Sequence, residues 1–193
     1  GLKIGYNTFT GLPGTAVSLN GSVNAEVNNN TMTGVLIAGT GVAVNNATGA
    51  NVHHNNISLE GGYGVRVVGG SNAAVDDNTI SGTGSDGIHM EGVSQSNVRR
   101  NTISATVGNG IYVGNNGATR SDFVTIQGNN ISATIGGTDG IKVEKSDFLD
   151  INGNTVNLVS GNAISAKDVT ISDISGNIIT GAAKDGILLD SST

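Results

Sequence analysis

The chain has 193 residues, including 31 Gly, one Pro and no Cys or Trp, a length that suits one domain with its own core. Its formal net charge of −6 argues against a nucleic-acid partner, which would need a basic stripe. No apolar run approaches the ~20 residues that span a bilayer, and without cysteine no disulfide or thiolate metal site can form.

The apolar residues are mostly Val and Ile at short, regular spacing, which points to strands. The first pair of strands lies in "LKIGYNTFT", with Ile4 three residues before Asn7 and Phe9 two residues after it. The phrase then returns as "NNTMT", "HNNIS", "DNTIS", "RNTIS", "GNNIS", "GNTVN" and "GNIIT". Its asparagines are Asn7, Asn30, Asn55, Asn78, Asn101, Asn129, Asn154 and Asn177, separated by 23, 25, 23, 23, 28, 25 and 23 residues. An Ile or Val stands three positions before each, and Phe, Met, Ile or Val two positions after. Between copies lies a third strand phrase, Gly–apolar–x–apolar, starting at Gly41, Gly64, Gly87, Gly110, Gly140 and Gly186, with looser versions at Gly14 and Gly161. No segment has a helical period.

A unit of 23 to 28 residues cannot bury its own apolar face and must stack on its neighbours. Three short strands per unit, repeated in one sense, predict an all-β parallel solenoid of about eight rungs, with residues 1–193 as a single domain. The repeated Asn suits an inward-pointing position at a bend, because a stacked column of amides donates and accepts along the axis. We therefore read the eight asparagines as a structural ladder.

Phrases of the type "NVRRNTIS" and "DGIHM", together with this ladder, resemble the right-handed parallel β-helix superfamily with its pectate-lyase-like members. The resemblance covers essentially the whole chain and implies the fold. It leaves function open among polysaccharide lyases, mannuronan epimerases, phage tailspikes and surface proteins. No stretch matches the epimerases' signature or a pectate-lyase calcium cluster, so neither metal nor cofactor is expected.

Three columns of the repeat carry candidate chemistry. The outward position of Gly–apolar–x–apolar reads Ala16, Ala43, Arg66, His89, Tyr112, Lys142, Ala163 and Leu188. Glu91 and Glu144 stand two residues beyond His89 and Lys142, and Asp86 and Asp139 precede their glycines. For work on an acidic sugar, Arg66 and Lys142 would hold carboxylates while His89 and Tyr112 exchange protons, with Asp86, Glu91 and Glu144 beside the substrate. On the plainer reading these are solvated surface groups that pair with one another. The second column, His53, Asp76 and Arg99 with His54, Asp77 and Arg100 beside it, is expected to pair across strands. The third is a double rank of mostly hydroxyl side chains facing outward, from Thr8 and Thr10 to Ile178 and Thr180, with Asn and Ile interrupting the first rank; it resembles the surface of ice-binding β-solenoids.

The longest unit inserts "GNNGATRSDF" after Tyr112, a loop expected to border the polar line. The chain begins without Met and with Ile4 already in register, and neither end shows a helix or a polar capping repeat. It therefore reads as an excised segment of a longer solenoid, or as a unit that self-associates end to end. The expected function is a non-enzymatic structural or glycan-contacting segment of a secreted or cell-surface protein of bacterial or phage type. The alternative is a polyuronate lyase or C5-epimerase, and ice binding is a third reading. An acidic polysaccharide is the expected partner; no nucleic acid and no membrane are expected.

Overall fold

Alternating apolar and polar residues give each short strand one side for the core and one for solvent. The computed structural model describes residues 1–34, 39–58, 61–136 and 138–193, with positions 171 and 172 entering only as members of their strand. Among the described residues there are 25 strands and no helix. They form three sheets, visited in turn on every rung. The first sheet holds the strands before the asparagines, such as Ala74–Asp76 and Asn97–Arg99. The second holds those after them, such as Thr79–Ser81 and Thr102–Ser104. The third is built from the Gly–apolar–x–apolar strands, such as Ile88–Glu91 and Ile111–Gly114. Neighbouring strands are parallel, as a coil of like-sensed rungs requires.

The register stacks like on like. Val52, Val75 and Val98 align in the first sheet, Ile57, Ile80 and Ile103 in the second, and Val65, Ile88 and Ile111 in the third. All nine are buried to 1% exposure or less. Each such side chain contributes roughly 1.5–3 kcal/mol on burial, so the repeat builds one continuous aliphatic core.

The asparagines hydrogen-bond from rung to rung. Nδ2 of Asn55 donates to Oδ1 of Asn78 and to the Val27 carbonyl, while the Asn55 backbone N–H donates to the same Oδ1. The pattern repeats from Asn78 to Asn101 and from Asn101 to Asn129. The six inner asparagines are at most 2% exposed, a placement that costs free energy unless every amide group is bonded. The residue just before each ladder Asn turns the corner in the left-handed region, with φ of 55° at His54, 55° at Asp77 and 53° at Arg100.

The third-sheet register corrects two sequence placements. Ser18, not Ala16, aligns with Ala43 in the outward column, and Ser165, not Ala163, aligns with Lys142. The Ala16 and Ala163 backbones follow the pattern of Gly41 and Gly140, so they belong to the Gly column, and Gly14 and Gly161 do not. A Cβ at Gly64 would lie 2.5 Å from the Ile80 side chain, and one at Gly110 2.4 Å from Ile131. The column is small because it backs onto the second-sheet isoleucines. The slip is two residues, with Gly14 and Gly161 two positions before the alanines imitating the start of the phrase.

Candidate contact strip on the third sheet

The pleat of the third sheet turns Arg66, His89, Tyr112 and Lys142 outward on four consecutive rungs, in direct register. At ~4.8 Å per rung, they form one line along the axis. Glu91 aligns with Gly114 on the next rung, and Glu144 aligns with Lys167. The structure thus gathers the seven residues singled out from sequence around His89 and Tyr112.

His89 sits at the centre and is 8% exposed. Its Nδ1 meets Asp86 Oδ2 at 2.6 Å and its Nε2 meets Glu91 Oε1 at 3.3 Å. Its ring stacks on Tyr112, with centroids 4.7 Å apart and planes 19° apart. Tyr63 covers the other side at 4.6 Å, and the Arg66 guanidinium lies 5.7 Å from the Tyr63 ring centre. Tyr63 escaped the sequence reading, although it stands directly before Gly64, in the same column as Asp86; that column was read only for its acids.

Charges along the strip are compensated locally. Arg66 Nη2 lies 3.4 Å from Glu91 Oε2, and Lys142 Nζ lies 3.0 Å from Glu144 Oε1. The Tyr112 hydroxyl donates to Glu144 Oε2 at 3.3 Å. Burial first, and then the Glu144 charge, push the Tyr112 phenol up to about 12; burial and then Asp86 push Tyr63 up as well. Gly114 makes room for this arrangement, because a Cβ there would lie 2.2 Å from the Tyr112 hydroxyl.

Asp86 also has a partner below it. Its Oδ1 accepts the Asn109 backbone N–H at 2.6 Å and the Asn109 amide at 3.0 Å. The inserted loop closes on itself through Asn116 and Thr119, whose backbones exchange hydrogen bonds of 2.8 and 3.0 Å. It leans over Gly92, where a Cβ would lie 2.8 Å from the Asn116 Cβ, so it flanks the strip at the Glu91 end. Its exit is held by Arg120, which makes two 2.8 Å bonds to Asp147.

The other two columns behave as surface structure. Arg99 bonds Asp76 at 2.9 Å and Arg100 bonds Asp77 at 2.8 Å, each one rung apart. His53 turns back instead, reaching Glu26 Oε1 at 3.0 Å. The hydroxyl ranks of the second sheet are in register, Thr79 with Thr102 and Ser81 with Ser104. Among the described residues, no cluster of three or more His, Asp and Glu has the arrangement to hold a metal ion.

Three sheets of parallel rungs around an aliphatic core, with a decorated line on one sheet, define a β-helix protein. The chain belongs to the family described as "Right handed beta helix region", whose model matches residues 1–137. No curated protein matches the sequence. Among solved structures, the periplasmic alginate epimerase AlgG is similar with a TM-score of 0.66 at 13% identity, over 93% of this chain and 47% of that one. The surface adhesin PfbA of Streptococcus pneumoniae gives 0.66 at 11% identity, over 97% of this chain and 66% of that one. Tailspike protein 2 of bacteriophage CBA120, in its enzymatically active domain, gives 0.64 at 16% identity, over 92% and 35%. The chain spans about half the length of the epimerase, and identities this low establish a shared fold and nothing finer.

Proposed function

We propose that the chain is a rigid, non-catalytic β-helix segment of a secreted or cell-surface protein, and that its third-sheet strip contacts a polysaccharide. The observation that carries this reading is the internal pairing of the strip. Arg66 faces Glu91, Lys142 faces Glu144, and His89 lies between Asp86 and Glu91. Elimination or epimerisation of a uronate needs a cation free to neutralise the substrate carboxylate and a base with access to the C5 proton. Here both cations already have carboxylates, and His89 is 8% exposed. A neutralised line of carboxylates, ammonium and amphipathic rings suits reversible contact with a hydroxyl-rich chain, since such groups accept and donate without a fixed charge requirement. Similarity in fold to an adhesin, a tailspike and an alginate epimerase is in keeping with a glycan at an extracellular or periplasmic surface.

Affinity electrophoresis through gels containing alginate, pectate or neutral glucans tests the reading. At least one polymer should retard the protein, and Tyr112→Ala or Arg66→Ala should relieve the retardation. Free migration through the whole panel would overturn it.

One observation favours catalysis as a second reading: the 2.6 Å contact between Asp86 and His89 beside a stacked tyrosine. On that reading Tyr112, with its phenol raised to about 12, gives a proton and His89 takes one. Unsaturated or inverted uronates formed by the protein, and lost in His89→Ala, would establish it.

A further inference from the structure

The side chain before the third-sheet Gly column, which holds Ala163 on one rung, changes from rung to rung, and from the fourth rung it alternates: Asp86, Asn109, Asp139, Asn162, Asp185. These residues stack. Asp139 Oδ1 accepts the Asn162 backbone N–H at 2.7 Å and its amide at 3.0 Å, which repeats the contact of Asp86 with Asn109. In return, Oδ1 of Asn109 accepts the Asp139 backbone N–H at 3.0 Å, and Oδ1 of Asn162 accepts that of Asp185 at 3.1 Å. The alternation has a physical cause. An ionised carboxylate accepts only, so two stacked aspartates would repel, whereas an interposed amide donates to one and spaces the charges about two rungs, ~9.6 Å, apart. Gly108 and Gly161 clear the way, since a Cβ at either would fall 2.5 Å from the carboxylate oxygen of Asp86 or Asp139.

The two copies differ in what the second carboxylate oxygen does. Asp86 Oδ2 holds Nδ1 of His89 at 2.6 Å. On the Asp139 rung the outward residue is Lys142, which turns to Glu144 instead. We infer that Asn109 is a positioning residue for the strip: by fixing Asp86 from below, it sets the ring orientation of His89, so that Nδ1 faces Asp86, Nε2 faces Glu91 and the ring stays parallel to Tyr112. A carboxylate held by two N–H donors has one oxygen left and one direction to point it. The inference concerns the His89 geometry itself; only its consequence for ligand contact rests on the polysaccharide reading above.

The matched copy supplies the control. Asn109→Ala and Asn162→Ala each remove the side-chain amide bond to the carboxylate and keep the backbone N–H bond, but only the first lies below a histidine. His89 is observed through its Nδ1–H resonance in proton–nitrogen NMR of the intact chain, assigned by loss of the signal in His89→Gln. In Asn109→Ala, exchange of that proton with water should accelerate by at least about tenfold, because Asp86 keeps one of its two donors and its carboxylate can turn. In Asn162→Ala it should stay within about twofold of the parent, as expected for a site with no shared partner. Equal acceleration in both variants, or in neither, would overturn the assignment and leave the column as plain rung packing. Gel retardation of Asn109→Ala then reports separately on the contact reading. If the imidazole is loosened and retardation persists, the positioning role stands and His89 is not part of the contact.

Discussion

Two corners of the same coil carry polar ladders, and they are built to different rules. Between the first and second sheets every rung places the same residue, Asn, at the same point, and the inner six are at most 2% exposed. Ahead of the third sheet the equivalent ladder runs Asp, Asn, Asp, Asn, Asp, is more open at Asn109, and begins only after Tyr63. An amide column satisfies itself whatever its length, so it serves folding alone. A mixed column leaves a carboxylate oxygen unspent on every second rung, and on one rung that oxygen holds His89. Uniformity marks scaffold, and departure from it marks the place where the coil does something local.

The largest effect should come from the uniform corner. In Asn101→Ala, the Asn78 amide and N–H lose their acceptor, and the Val75 carbonyl loses its donor. Several buried groups orphaned at ~1–3 kcal/mol each predict a loss of about 3–5 kcal/mol in urea unfolding. Asn109→Ala, in the mixed corner, should lose about 1–2 kcal/mol, because the backbone N–H of residue 109 still serves Asp86 and fewer groups are orphaned. Equal losses would erase the distinction between the corners.

Gly114→Ala should act on the strip more than on the fold. The new Cβ must displace the Tyr112 ring, a side chain with room to swing outward, at a cost of about 1 kcal/mol. Freed from burial and from Glu144, the phenol should return from about 12 toward the ordinary ~10. Absorbance titration of the variant against Tyr112→Phe reads this directly. In the parent the raised value removes stability as pH climbs from about 10 to about 12, since the unfolded chain ionises first.

Two surface ion pairs, Asp77 with Arg100 and Asp147 with Arg120, should give a smaller, pH-bounded effect. The Arg100 hydrogen bond holds Asp77 below the usual carboxylate range, and Arg120, with Thr170, does the same for Asp147. Their folded values lie below the unfolded ~3.9, so their stabilisation is present above that pH and is lost as pH falls through the folded values. The double variant Asp77→Asn, Asp147→Asn should be less stable at pH 7 by no more than about 1 kcal/mol per pair, with the gap narrowing in thermal melts as pH falls below the unfolded ~3.9. A gap that persists in acid would assign the cost to packing.

The smallest effect belongs to Phe123 and Phe148, which stack at 4.6 Å although both have positive φ, 55° and 56°. Their corner column otherwise holds Asn24, Gly49, Asn72 and Gln95. Ring stacking worth ~0.5–1.5 kcal/mol is set against backbone strain of ~1–2 kcal/mol. Phe123→Asn should therefore change stability by less than about 1 kcal/mol.

Much of this was legible in the sequence. The period of Asn and its flanking Ile and Val fixed rung number, register of the first two sheets and the amide ladder, because each rung repeats the same local physics. The outward line was legible from Arg66 to Lys142, where charged residues mark the exposed side. It failed at Ala16 and Ala163, where an alanine fits the Gly column as well as the surface. Tyr63 and Asn109 were missed for another reason: their roles depend on contacts between columns, and a column-by-column reading sees only along the axis. The alternation of Asp–Gly with Gly–Asn was the available signal.

The most direct test of the contact strip is NMR of protein and polymer together, recording amide shifts of the protein and the proton spectrum of added alginate or pectate. Shifts should concentrate on the rungs carrying Arg66, His89, Tyr112 and Lys142 while the polymer spectrum stays unchanged. Shifts confined to the other two sheets, or new unsaturated or inverted residues in the polymer, would contradict it.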